Sequence, residues 1–161
     1  MQIEQTIQHN LIQLKDLLQQ LSVEEYTQSL TILNGQTIGK HVRHIIEYYI
    51  CLTQNQSTMC YDDRQRNIIW ENELPTTLAQ ISSIMEVLPG IDIHQKIRLK
   101  QLIGKENITV ESTIGREMLY CIDHCIHHLA IIKIAVSSAF PTVHVPVEFG
   151  IAYSTLNYQK S

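Results

Sequence analysis

Apolar residues spaced three and four apart run through four segments of this chain, and that period commits it to amphipathic helices packed against one another. In the first segment Ile3, Ile7, Leu11, Leu14, Leu18 and Leu21 form one stripe, with glutamines on the opposite face. Ser22-Val23-Glu24-Glu25 follows, a serine three residues before a glutamate, which is the pattern of a capping box. The Asn34-Gly35 breaker precedes a second helix over about 37–54, which carries His41, His44, Glu47, Tyr48 and Tyr49. Pro75 suits the first turn of a third helix running to about Leu88, with Leu78, Ile81, Ile84, Met85 and Leu88 inward and Pro89-Gly90 as its stop. The fourth and longest helix spans about Thr113 to Ser138 and ends before Pro141.

Between the third and fourth helices the period changes to two. Ile97-Arg98-Leu99-Lys100 and Ile108-Thr109-Val110-Glu111 alternate apolar and polar around Gly104-Lys105-Glu106-Asn107, which predicts a two-stranded hairpin. Residues 55–73 show no sustained period and contain Tyr61-Asp62-Asp63-Arg64-Gln65-Arg66, a connection long enough to be functional. The tail from Phe140, with Pro141, Pro146 and Gly150, reads as irregular chain laid across the helices. The expected architecture is a single domain over 1–161: an all-α four-helix bundle with a small β-hairpin before the last long helix.

At 161 residues such a domain buries a sufficient core without disulfides or structural metals, so a bound metal would serve function rather than folding. The apolar share of 44% and charged share of 17% are those of a soluble globular protein, and no apolar run approaches the roughly 20 residues that span a bilayer. The beginning, Met1-Gln2-Ile3-Glu4-Gln5, lacks a basic region followed by an apolar stretch, and the expectation is a cytoplasmic protein that does not engage a membrane. Twelve basic against sixteen acidic residues leave a net charge of −4 without a Lys/Arg block, which argues against nucleic acid as a partner. Cys51, Cys60, Cys121 and Cys125 have no CxxC spacing and read as reduced thiols.

Within the fourth helix, Asp123-His124-Cys125-Ile126-His127-His128 places two imidazoles four residues apart, where both rings reach one ion. On a wheel of roughly 100° per residue, Glu117, Cys121, His124 and His128 share a narrow arc while His127 points away. Cysteine at 125, where a zincin would carry glutamate, removes the general base of that motif. The second helix offers a third imidazole, His41 or His44, one turn apart and not separable by spacing. Three histidines suit a catalytic site that keeps a position for water or substrate, and neutral imidazole accepts zinc, nickel, copper or iron. Glu117 is the catalytic candidate, either accepting the second N–H of a ligand imidazole or serving as base toward a bound water. Cys121 can add a thiolate, or act as a small apolar residue. Arg64 and Arg66 are the candidates for holding an anionic substrate group.

With these residues in view, the chain resembles the DinB/YfiT-like family of metalloenzymes over most of its length. The similarity lies in Thr37-Ile38-Gly39-Lys40-His41-Val42-Arg43-His44, Tyr61-Asp62-Asp63-Arg64-Gln65-Arg66, Arg116-Glu117, and His124 with His128. Phe149-Gly150-Ile151-Ala152-Tyr153-Ser154-Thr155-Leu156 resembles the closing segment of one uncharacterised branch. The resemblance implies a four-helix bundle with a buried nickel or zinc ion held by His44, His124 and His128. It also implies a homodimer, with which the apolar content of the helices agrees, and a low-molecular-weight thiol as substrate. A divalent ion lowers the pKa of a coordinated thiol or water, so the expected activity is that of a thiol S-transferase or hydrolase. Two other classes are a metal-binding or stress-associated protein without catalysis, its ion fully enclosed by a fourth ligand such as Cys121 or Glu117, and a helical interaction module without metal.

Overall fold

A computed structural model describes residues 3–54 and 56–160. The chain begins with helix α1 (Ile3–Leu18), whose Ile7, Leu11, Leu14, Leu17 and Leu18 are buried. The Ser22 capping box starts the short α2 (Val23–Thr27): the Ser22 hydroxyl accepts from the Glu25 amide at 3.1 Å while the Glu25 carboxylate accepts from the Ser22 amide at 2.8 Å. Asn34 and Gly35 both take left-handed backbone conformations and turn the chain toward α3 (Ile38–Thr53). The Thr37 hydroxyl caps α3 by accepting from the Lys40 amide at 3.0 Å.

The connection after α3 holds a two-residue strand β1 (Thr58–Met59) and the short α4 (Ile69–Asn72), before α5 (Leu74–Val87) begins with Pro75 in its first turn. Strands β2 (Lys96–Ile103) and β3 (Glu106–Thr113) then pair antiparallel along their whole length, from Lys96↔Thr113 to Ile103↔Glu106. Strand β1 adds to the other side of β2, parallel to it, with Thr58 opposite Arg98 and Met59 opposite Leu99. Thr113 ends β3 and caps α6 (Ile114–Ala139), so the sheet feeds directly into the longest helix. A last helix, α7 (Tyr153–Lys160), closes the described chain.

The expected all-α four-helix bundle is therefore corrected. Seven α-helices and a three-stranded mixed sheet in the order β1-β2-β3 are present among the described residues. The additional elements carry no periodic stripe that a sequence can display. β1 is two residues long and exists because the Ser57 carbonyl accepts the Arg98 amide at 2.9 Å as part of its pairing with β2. α4 has one turn, and α7, expected to be irregular, is Tyr-Ser-Thr-Leu-Asn-Tyr-Gln-Lys, too short and too polar to display a repeating stripe. The first helix also stops short of Leu21, in a turn at Gln19-Gln20.

By length and composition helix α6 is apolar enough to cross a bilayer, with a mean hydropathy of 1.4 over its most apolar stretch. Its buried residues are those of a core helix. Met118, Cys121, Cys125, Leu129, Ile132 and Val136 face inward, and α6 packs on α1 and α3. The segment after α6 returns along it: the Lys133 ammonium donates to the Val147 carbonyl at 2.6 Å and the Phe149 carbonyl at 3.2 Å, and Phe149 is fully buried. Gly150, at φ +69°, passes so close that a Cβ there would lie 2.5 Å from the Ala130 backbone nitrogen.

Candidate metal centre

The α3–α6 contact places the histidines. Capping by Thr37 sets where α3 starts and hence the face on which His41 and His44 lie, while His124 and His128 stand one turn apart on α6. Ring centres of His44 lie 4.9 Å from His124 and 4.7 Å from His128, and those of His124 and His128 are 4.7 Å apart. One nitrogen from each of the three falls within 4.8 Å of the others, an arrangement that can hold a metal ion. All three side chains are half-buried, so the cluster sits at the edge of the core rather than inside it.

The donor set fits a metal on two counts. First, His124 Nε2 is buried and has no hydrogen-bond partner, a rare condition for a native polar atom and one that a bound cation relieves. Second, the rings are held neutral. Burial, then the neighbouring imidazoles, depress His128 to about 3; burial depresses His44 to about 4, followed by His124 and the nearby arginines; burial and then His127 depress His124 to about 4. Neutral rings present lone pairs at physiological pH, as ligation requires.

Spacing left His41 and His44 undivided, and the structure divides them. His44 joins the three-imidazole group, whereas His41 stands behind it with Nδ1 3.0 Å from Nδ1 of His128. One of these nitrogens donates and the other accepts, so His41 fixes the plane of the His128 ring. On the other flank, the Arg64 guanidinium donates to His44 Nδ1 across 3.4 Å, to the Tyr61 carbonyl at 2.9 Å and to the Glu47 carboxylate at 3.1 Å. Glu47 is almost wholly buried, with Arg43 as a second cation at 3.5 Å.

A set of tyrosines to which the sequence assigns no role walls the cluster. Tyr48 stacks on His124 with ring centres 4.0 Å apart and on Tyr61 at 4.6 Å, and Tyr120 lies 5.9 Å from His124. Their spacing was a usable signal, because Tyr48 lies four residues after His44 and Tyr120 four before His124, on the same helix faces. Tyr61 comes from the long connection, and nothing local announces its position.

The remaining expected site residues separate. Glu117 is fully buried, two helical turns before His124, and its carboxylate accepts from Ser112 at 2.5 Å, Tyr61 at 3.0 Å and Arg116 at 3.2 Å; these donors hold it, not a ligand imidazole. Cys121 is buried, contacts the Tyr61 hydroxyl at 3.5 Å and has its thiol pushed well above the ordinary range by burial, which keeps it protonated and apolar. All four cysteines are free thiols. Arg64 adjoins the cluster but is committed to Glu47; Arg66 is exposed, takes a left-handed conformation and is not brought to the site.

No family model matches the chain, and no solved structure does either. The chain is similar to FK506-binding protein 5 of Rhizopus delemar, 34% identical over an alignment of 107 residues that covers 62% of this chain and 27% of that protein.

Proposed function

We propose that the chain is a metal-dependent enzyme of the DinB/YfiT-like kind, a thiol S-transferase or hydrolase, in which His44, His124 and His128 hold one divalent ion, nickel or zinc. The observation that carries this reading is the triangle of neutral imidazoles within 4.8 Å together with the unpartnered, buried Nε2 of His124. When bound, the ion supplies a Lewis acid that makes a thiol or water acidic enough to act as a nucleophile near neutral pH. The chain's own residues supply the setting. His41 orients His128, Tyr48 and Tyr120 shield one side of His124 from water, and Arg64 places a fixed positive charge beside His44.

An open ligand position separates this reading from a metal-binding or stress-associated protein without catalysis. The metal-capable group has three members among the described residues, and the two side chains that could have closed it, Cys121 and Glu117, are bonded to other partners. A three-ligand set with a free position is the pattern of catalytic rather than structural zinc. Zinc and nickel titration of metal-stripped protein, followed by assay of the loaded form with low-molecular-weight thiols and electrophilic substrates, tests it. Metal-dependent consumption of thiol or hydrolysis of an activated ester is expected. Stoichiometric metal binding without turnover of either kind would leave the non-catalytic metal-binding reading in its place.

A further inference from the structure

The two edges of the sheet are unlike. On one side β1 covers only two residues of β2, and beyond it the Asp62 carboxylate accepts the Leu102 amide at 3.0 Å. That edge is short and closed by a charged side chain, as protected sheet edges commonly are. On the other side β3 is bare along its eight residues, Glu106-Asn107-Ile108-Thr109-Val110-Glu111-Ser112-Thr113, with no further strand beside it among the described residues. It contains neither proline nor lysine, its pairing with β2 runs without a bulge, and residues 106–111 are all exposed. Ile108 and Val110, on one face of it, are 42% and 50% open. A long, regular edge of this kind is a template for another strand.

Strand directions fix which backbone groups this edge offers. The Arg98 amide donates to the Ser57 carbonyl and the Leu102 amide to Asp62, so the even-numbered residues of β2 turn their backbone groups away from β3. Glu111, Thr109 and Asn107, which face Arg98, Lys100 and Leu102, therefore occupy the non-hydrogen-bonded positions of that ladder and turn their own N–H and C=O groups to the free edge. Their side chains lie on the face opposite to Ile108 and Val110. Let a second β3 pair antiparallel with the first, the two-fold axis at Thr109. Thr109 then lies opposite its own copy and Asn107 opposite the second copy's Glu111, and each such pair exchanges both hydrogen bonds. Ile108 meets the second copy's Val110 at the close, non-hydrogen-bonded spacing, and Glu106 meets Ser112. No two carboxylates are opposed, and Glu111 already has Arg98 across from it on β2. A slip of one residue that set Glu106 against Glu111 would also mismatch the outward backbone groups.

We infer that β3 is the surface through which two copies of this chain pair, an antiparallel β3–β3 contact centred on Thr109 that joins their sheets into one. The contact uses the sheet edge and no helix face, needs no metal and does not rest on the metal-enzyme reading above. The test is sedimentation equilibrium of the full-length protein up to millimolar concentration, beside backbone amide hydrogen exchange. A species of twice the chain mass is expected, with the amides of Asn107, Thr109 and Glu111 protected in it and unprotected on dilution. Thr109→Pro removes the central outward N–H and spares the β2–β3 ladder, in which that N–H takes no part. This variant should sediment as a single chain with the parent's circular dichroism. Two substitutions at the exposed Asn107 separate a lost interface from a lost fold. Asn107→Lys sets an ammonium opposite the second copy's Glu111 and should tighten the dimer roughly three- to tenfold, whereas Asn107→Glu opposes two carboxylates and should weaken it by a similar factor. A single chain at every concentration overturns the proposal. So does a dimer whose association is unchanged by Thr109→Pro and by both Asn107 substitutions, since the copies would then meet at another surface.

Discussion

Nδ1 of His41 stands 3.0 Å from Nδ1 of His128, so an imidazole outside the three-histidine cluster is hydrogen-bonded to a ring inside it. This contact determines which nitrogen of His128 is left to face His44 and His124. It also turns the His41-Val42-Arg43-His44 motif from two competing candidates into one member of the cluster and one support.

His41 is accordingly a positioning residue, and its replacement should loosen the metal without removing it. His41→Phe is predicted to lower zinc affinity roughly 10- to 100-fold, the usual cost of losing the group that orients a ligand histidine. Competition titration against a chelating indicator measures this. Affinity equal to the parent's would show that the 3.0 Å contact does not matter to the site.

Arg64 works in the opposite direction. Its guanidinium can only donate, so its approach to His44 engages the Nδ1 lone pair, and its charge repels a cation. Arg64→Ala should bind zinc more tightly while unfolding more readily, by about 1.5–3 kcal/mol, because the buried Glu47 keeps only Arg43 as counter-charge. A weakened zinc site in this variant, measured beside its urea midpoint, would contradict that sign.

The depressed histidines make a pH signature. Their folded values, about 4 for His44 and His124 and about 3 for His128, lie below the ordinary 6.5, so the unfolded chain binds protons that the native chain refuses. Their contribution to stability is complete above pH 6.5 and is lost progressively as pH falls toward 4. Metal-free protein should therefore lose urea resistance between pH 7 and 5, and a His124→Ala variant should lose less over the same interval. Parallel slopes for the two would exclude the neutral-imidazole account.

Much of this architecture could be read in advance, and the part that could not has a common cause. The stripes of α1, α3, α5 and α6 repeat over several turns, and the alternation of residues 97–100 and of 108–111 marks the middle of a ladder that pairs over eight positions. β1 exists only as a partner for β2, α4 is four residues long, and α7 is a short, mostly polar helix held through Tyr153 on the core, so each depends on tertiary contacts. The site divides the same way. His124 and His128 follow from helical spacing, but the separation of His41 from His44, the Tyr61–Tyr48–His124 stack and the Arg64–Glu47 pair join residues distant in sequence. Glu117 was misplaced by the wheel because sharing an arc does not mean sharing a depth along the axis: seven residues separate it from His124, about 10 Å of rise.

The tail offers a test of the fold itself. Gly150→Ala puts a Cβ against the Ala130 backbone on a left-handed residue and should cost at least about 1–3 kcal/mol. Thermal unfolding beside the parent reads it. An unchanged transition would mean that the segment after α6 does not lie on that helix as described.

The central claim is that His44, His124 and His128 form one metal centre. Elemental analysis of protein purified without a histidine tag or immobilised-metal column, beside the His44→Ala, His124→Ala and His128→Ala variants, tests it most directly. One equivalent of nickel or zinc in the parent and none in any folded variant is the predicted result. Stoichiometric metal retained in all three variants, or no metal in a parent incubated with both ions, would contradict it.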